Sequence, residues 1–306
     1  MAVAIRTEGL TKDYGESHGL FGLDLEVAAG EVFGYLGPNG AGKTTTIRLL
    51  MDLVRPTHGR AEIFGVDCHA HPVEVKRMVG YLPGEMPQWG GLRGRDVVAY
   101  VGGLRGGVDA ARVKSLAERL DLDLGRRYRL YSSGNKRKLG LVLAFMHPSR
   151  LLVLDEPTNG LDPLIQQEFY RLVEEEAAGG GTVFLSSHVL SEVERACQRV
   201  GILRQGRLVQ VARLDELHHL RYHRLEADFS GEVPVEAVRA LAGVEDVTVE
   251  DHHLSCAVRG GFGPLLEVLG RGPITNLVTH EPTLEEVFLA YFRDQEAPAV
   301  TPAGKA

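Results

Sequence analysis

The chain has 306 residues, 44% hydrophobic and 25% charged, with a formal net charge of −7. This is ordinary soluble globular composition with length for two domains; without a long basic run it offers no general nucleic-acid surface, and no apolar run approaches the roughly 20 residues of a membrane span. Cys68, Cys197 and Cys256 lie far apart, and the first six residues lack the basic start and apolar core of a signal peptide, which together point to a reducing cytoplasm with no disulfide framework.

In chain order, the apolar, β-branched run from Glu31 to Leu36 reads as a buried strand, and Thr45 to Met51 as a helix. Between them, Gly37-Pro38-Asn39-Gly40-Ala41-Gly42-Lys43-Thr44 matches G-x-x-x-x-G-K-[ST] at every fixed position. Such a loop needs glycines so that successive backbone N–H groups can close around phosphate oxygens. It needs a lysine for the β/γ-phosphates and a hydroxyl for Mg²⁺, which are Lys43 and Thr44 here; Thr45 adds a hydroxyl near the α-phosphate. The strand–loop–helix setting points a helix N-terminus at the nucleotide. Cys68-His69-Ala70-His71 lacks a second ligand pair at a recognised spacing, so a solvated turn fits it better than a metal site.

Val79 to Pro83 reads as a strand, followed by Gly84-Glu85. Trp89, the single tryptophan, suits an interface anchor and ordinary core equally. Ser132 and Gly134 open a helical run that continues through Met146, which makes an anion site of the hydroxyl and N–H groups there. Arg150 to Glu156 is an apolar strand ending in two acids; its C-terminal end should open on the ligand crevice. Asp155 is placed to orient a Mg²⁺ shell and Glu156 to polarise an attacking water. Asp162 can cap the next helix, with Pro163 in its first turn. Thr182 to His188 is a further strand ending in a histidine; on an edge that already carries Lys43, Asp155 and Glu156, it suits a γ-phosphate sensor. Ser191-x-x-Glu194 reads as a capping box.

The rhythm changes after Leu214 to His219. Strands are expected over 224–230, 244–249, 253–258 and 274–279, with helices at 235–241 and 262–269. That order, βαββαβ, suggests a small ferredoxin-like α+β unit. His218-His219 and His252-His253 read as exposed polar positions, and Thr283-x-x-Glu286 as the cap of a last helix, 287–292. The Ala/Pro/Gly-rich residues 294–306 read as a disordered tail.

Over about residues 3–213 these motifs resemble, in content and order, the ATP-binding subunits of ABC transporters: the P-loop, a degenerate signature at Tyr131 to Asn135, the acidic strand ending Asp155-Glu156, the interface-crossing Leu161-Asp162 and the switch histidine His188. The signature separates this family from GTPases, kinases and helicases. The Tyr-Ser-x-Gly form at 131–134 and Pro-Thr-Asn-Gly-Leu-Asp-Pro at 157–163 look like the drug- and antibiotic-exporter type, whose ATPase is a separate polypeptide. The resemblance implies an α/β P-loop ATPase domain at 1–220, with a helical subdomain at about 86–148, then an accessory or dimerisation domain at 221–293 whose Leu-Glu-Glu-Val-Phe pattern falls at 284–288. It implies ATP and Mg²⁺ as ligands, with Tyr14 stacking on adenine, although a tyrosine there taken alone is more often packing.

By the same resemblance, two copies would pair head to tail, Ser132 and Gly134 of one copy facing the γ-phosphate held by Lys43, Thr44 and Asp155 of the other. The pair would dock on an integral-membrane permease at the cytoplasmic face of the membrane, with no contact to nucleic acid or to the transported substrate. The family's glutamine after the strand at 79–83 is replaced by Gly84, leaving Glu85 or Gln88 to take its place. The alternatives are a soluble, non-transport ABC ATPase and a regulatory protein that binds ATP without turnover.

Overall fold

The computed structural model describes residues 2–16, 18–214 and 222–280. The chain divides into two compact units, Met1–Leu214 and Asp215–Ala306.

In the first unit, β1 (Val3–Asp13), β2 (Gly19–Ala28), β4 (His58–Ile63) and β5 (Val66–Asp67) form an antiparallel sheet in the order β2-β1-β4-β5. This sheet is not among the elements expected from the sequence. Leu20, Leu23, Leu25 and Val27 of β2 are buried, largely at alternate positions, as a sheet with one core face requires. The second sheet has six strands in the order β10-β9-β3-β8-β7-β6. These are β3 (Val32–Leu36), β6 (Val79–Leu82), β7 (Leu151–Asp155), β8 (Thr182–Ser187), β9 (Arg199–Arg204) and β10 (Arg207–Arg213). From β9 to β6 all neighbours pair in parallel, and β10 closes one edge as a hairpin with β9. Every residue of β3, β7 and β8 is buried, which explains why they read as unbroken apolar runs. The Phe33 and Phe184 rings stack at 5.9 Å, and Tyr35 leans on Phe184 at 5.1 Å.

Helix α1 (Lys43–Leu50) follows β3 and α2 (Pro72–Met78) precedes β6. Between β6 and β7 the chain inserts α3 (Gly94–Gly103), α4 (Ala110–Arg119) and α5 (Ser133–Phe145), within the region expected to be helical. Helix α6 (Pro163–Ala178) is capped by Asp162, whose carboxylate accepts the N–H groups of Leu164 and Ile165 behind Pro163. The solvated side of α4 is tied to α6 by charge: Arg119 forks onto Glu175 with two bonds of 2.7 Å and also reaches Glu168, while Arg112 meets Glu176 at 2.5 Å. Helix α7 (Leu190–Ala196) starts one residue before Ser191 and is preceded by Val189, which makes no side-chain cap bond. The expected capping box is therefore absent. Ser187 supplies the local bond instead, its hydroxyl accepting the Val189 N–H at 2.9 Å. Among the described residues no helix is long and apolar enough to cross a membrane.

The second unit contains β11 (Tyr222–Phe229), α8 (Val235–Arg239), β12 (Val244–Glu250), β13 (His253–Arg259), α9 (Gly263–Leu269) and β14 (Ile274–His280). Its antiparallel sheet runs β12-β13-β11-β14, the arrangement expected of a βαββαβ unit. Leu225, Ala227 and Phe229 alternate inward on β11 and meet Leu254, Cys256 and Val258 of β13 beneath Val238, Leu265 and Leu269. The expected final helix at 287–292, the pattern at 284–288 and the tail at 294–306 lie outside the described residues.

Candidate nucleotide site

A parallel sheet presents the C-terminal ends of its strands to one crevice, and there loops can carry chemistry without disturbing the core. Here β3, β7 and β8 end side by side on Leu36, Asp155 and Ser187. The P-loop leaves β3 at Gly37 and enters α1 at Lys43. Gly40 has φ +80° and Gly42 has φ +107°, backbone that only glycine adopts without strain. The loop is braced from behind by the β9–β10 turn: a Cβ on Gly37 would lie 2.5 Å from the Leu203 carbonyl oxygen, and the Gly206 N–H donates to the Ala41 carbonyl at 2.9 Å. Below it the Thr46 hydroxyl meets the buried Tyr35 hydroxyl at 3.1 Å and the Gly42 carbonyl at 3.1 Å. Thr44 and Thr45 remain half-buried at the crevice.

The lysine, both acids and the histidine come together. Lys43 is 5% exposed; its Nζ donates to the Gly37 carbonyl at 2.5 Å and the Pro38 carbonyl at 3.2 Å and lies 3.1 Å from Glu156 Oε1. The other Glu156 oxygen, Oε2, is 2.8 Å from His188 Nδ1. Glu156 has φ +49°, a left-handed conformation that costs a non-glycine residue roughly 1–2 kcal/mol. Ser186, opposite Asp155 in the parallel register, holds this turn: its hydroxyl accepts the Glu156 N–H at 3.0 Å and donates to Asp155 Oδ1 at 2.7 Å. Asp155 is fully buried, and its second oxygen, Oδ2, has no hydrogen-bond partner. A buried carboxylate oxygen without a partner is costly, and it fits a hard cation that takes oxygen ligands. Nearby, burial and the Asp155 charge push the Tyr81 hydroxyl up to about 12.

Gly84 stands beside that oxygen: a Cβ there would lie 2.7 Å from Asp155 Oδ2. Glu85 and Gln88, the two residues expected to stand in for a glutamine, are both exposed. Ser132 caps α5 by accepting the Asn135 N–H at 3.2 Å, and Gly134 packs where a Cβ would come within 2.8 Å of the Gly160 carbonyl. The signature turn thus abuts the turn that follows Glu156, while Ser132 has no hydrogen bond to the P-loop among the described residues. Tyr14 sits in the β1–β2 turn, 54% exposed, with the Lys12 ammonium 5.4 Å from its ring centre. Trp89 lies half-buried in an edge-on contact with Tyr100, ring centres 6.1 Å apart, and Cys68 is buried in the core while His69 pairs with Asp52 at 2.7 Å.

Three residues that shape the site are not among those expected from the sequence. Ser186 was legible in principle, as a hydroxyl interrupting an apolar strand near its functional end. Glu192 accepts the Thr158 and Ser187 hydroxyls, each at 2.6 Å, and so ties the turn after Glu156 to the one before His188. Arg137 is buried on α5 and donates to the Pro83 carbonyl at 2.7 Å. Nothing local in the sequence marks the last two.

Known proteins are similar to this chain over most of its length. The family described as "ABC transporter" matches residues 20–159. The bacitracin transport ATP-binding protein of Enterococcus faecalis is 35% identical over 82% of this chain and 83% of its own. A daunorubicin resistance ATP-binding protein of Streptomyces coeruleorubidus is 36% identical over 94% and 95%. A solved structure described as the ATP-binding subunit of an ABC transporter superposes with a TM-score of 0.65 at 28% identity, covering 70% of this chain and 92% of that one.

Proposed function

Because this chain belongs to the ATP-binding proteins of ABC transporters, we propose that it hydrolyses Mg-ATP to power a drug-exporter-type permease carried on a separate polypeptide. The observation that supports this best is the cluster at the P-loop: Lys43, Glu156 and His188 joined by contacts of 3.1 and 2.8 Å beside the fully buried Asp155. Backbone N–H groups of the P-loop beyond Pro38 and the Lys43 ammonium bind the phosphates. Thr44 and Asp155 would hold the magnesium ion, which supplies charge neutralisation on the phosphate oxygens. Glu156 orients and polarises the attacking water, and His188 fixes Glu156 and senses the γ-phosphate. Tyr14 offers an exposed ring for the base. Ser132 and Gly134, at the start of a helix, face the nucleotide of a second copy in a head-to-tail homodimer. The permease, not this chain, selects the cargo; both relatives above are named for transport of, or resistance to, an antibiotic. The working location is the cytoplasmic face of the membrane, and the second unit contributes dimer contact or regulation.

The test is Glu156→Gln, tagged and extracted from source membranes in mild detergent with ATP. The expected result is an ATP-loaded dimer that co-purifies with a polytopic membrane protein. A monomer hydrolysing at the parent rate removes Glu156 from its role. A dimer recovered only from the soluble fraction, or with ribosomes or DNA, removes the transporter reading.

A further inference from the structure

Arg137 lies in the second turn of α5 and is 5% exposed. A buried guanidinium is ordinarily matched by a carboxylate. This one is bonded to two backbone carbonyls: Nη1 donates to Pro83 at 2.7 Å, and Nε reaches Asn159 at 3.5 Å. Both carbonyls belong to loops that flank the acidic pair. Pro83 directly precedes Gly84, whose backbone faces Asp155 Oδ2 closely enough that a Cβ would approach to 2.7 Å. Asn159 closes the turn that leaves Glu156, its N–H donating to the Glu156 carbonyl at 3.2 Å. Burial pulls the guanidinium below its ordinary value, while the charges of Asp155 and Glu156 act the other way and favour the cation. The cation is therefore favoured by the nearby charges of the two acids and bonded to the carbonyls of the loops that carry them.

We infer that Arg137 is a positioning residue for ATP hydrolysis, clamping the loop at Pro83 and the turn at Asn159 to the signature helix α5, a link that Gly84 has no side chain to make. The inference rests on the roles proposed above for Asp155 and Glu156. Arg137 bonds to the loops on either side of the acids; it sets where Glu156 stands relative to the helical insertion. Its loss should therefore slow the chemical step and leave nucleotide affinity nearly unchanged, because the phosphate-binding N–H groups and Lys43 do not depend on it. A residue that only stabilises the fold would lower both together.

The test uses the full-length chain and its Arg137→Ala, Arg137→Lys and Arg137→Gln variants. Single-turnover hydrolysis of Mg-ATP is measured alongside equilibrium binding of a fluorescent ATP analogue. The expected result is a rate about tenfold or more below the parent for Ala, with dissociation constants within about twofold. Lysine, which keeps the charge and can reach one carbonyl, should recover part of the rate, and glutamine less. An Ala rate within about twofold of the parent overturns the inference, as does equal loss of binding and rate in all three variants. Should the Ala variant fail to fold, Lys against Gln decides: Lys faster supports the clamp, and equal rates overturn it. Failure of the underlying reading looks different, because Glu156→Gln would then hydrolyse ATP as fast as the parent whatever Arg137 does.

Discussion

Replacing Ser186 with alanine tests how the acidic pair is held. The Ser186 hydroxyl makes two bonds, donating to Asp155 Oδ1 at 2.7 Å and accepting the Glu156 N–H at 3.0 Å. Asp155 is fully buried and its other oxygen already lacks a partner, so Ser186→Ala leaves a buried carboxylate without any side-chain hydrogen bond. A bond to a charged group contributes about 1.5–3 kcal/mol, and a neutral one about 0.5–1.5. Together they amount to about 2–4.5 kcal/mol, undiminished by solvent because the carboxylate is out of water. For a unit the size of Met1–Leu214, 1 kcal/mol moves the melting temperature by about 2–4 °C, so a loss of about 4–18 °C is expected by scanning calorimetry without nucleotide. The freed Glu156 turn should also lose its left-handed backbone geometry, and hydrolysis should fall about tenfold or more, as when a residue supporting a metal ligand is removed. Ser186→Thr, which keeps the hydroxyl, should retain most of both. A melting temperature within about 2 °C of the parent, with unchanged magnesium dependence, would refute the claim that this hydroxyl positions the pair.

Two further outcomes follow from single contacts. Gly84→Ala places a Cβ 2.7 Å from Asp155 Oδ2 and 3.2 Å from its Cγ, closer than real atoms pack, so the carboxylate must shift; the magnesium concentration for half-maximal hydrolysis should rise about tenfold, and an unchanged titration would place the metal elsewhere. In the second unit, His253 Nδ1 is 2.7 Å from Asp228, a bond that raises the histidine above its usual 6.5 and lowers the aspartate below its usual 3.8. The histidine's contribution to stability is complete below its unfolded value and fades as pH rises through the folded one; the aspartate's is complete above its unfolded value and fades as pH falls. The pair therefore supports the unit between those two usual values. His253→Gln should lower the unfolding midpoint at pH 5.5 and not at pH 9, and an equal difference at both would remove the ion pair from the account.

The parts of the fold that were legible in the sequence are those in which one stretch of chain carries its own signal. The strands ending at Leu36, Asp155 and Ser187 are buried on both faces, so hydrophobic content alone outlines them. The P-loop declares itself because its glycines and Lys43 must be adjacent to work, and Asp162-Pro163 because cap and first turn are local. The second unit showed through its alternation, Leu225, Ala227 and Phe229 facing inward from β11. The antiparallel sheet of β1, β2, β4 and β5 did not, since its register is interrupted by bulges between Thr7 and Leu10 and again before Lys12, which break the period of two. The capping box misread at Ser191 fails for a related reason: Ser187 and Glu192 already satisfy the turn from either side.

The same distinction explains which site residues were missed. Lys43, the Asp155–Glu156 pair and His188 lie on separate strands or loops, yet each is announced by its own neighbourhood. Arg137, Ser186 and Glu192 act only through partners 22 to 54, 30 to 31 and 5 to 34 residues away. Their side chains look like solvated helix positions or a polar strand end until the parallel register sets Asp155 beside Ser186 and the inserted α5 brings Arg137 under Pro83. Groups that would touch the nucleotide are constrained by what they bind and so take recognisable local forms. Those that hold them are constrained only by the fold, and a serine, a glutamate or an arginine will serve wherever the backbone delivers it. Substitutions at Ser186 and Arg137 are therefore the sharper tests of the geometry, because neither residue is marked by a ligand-binding motif.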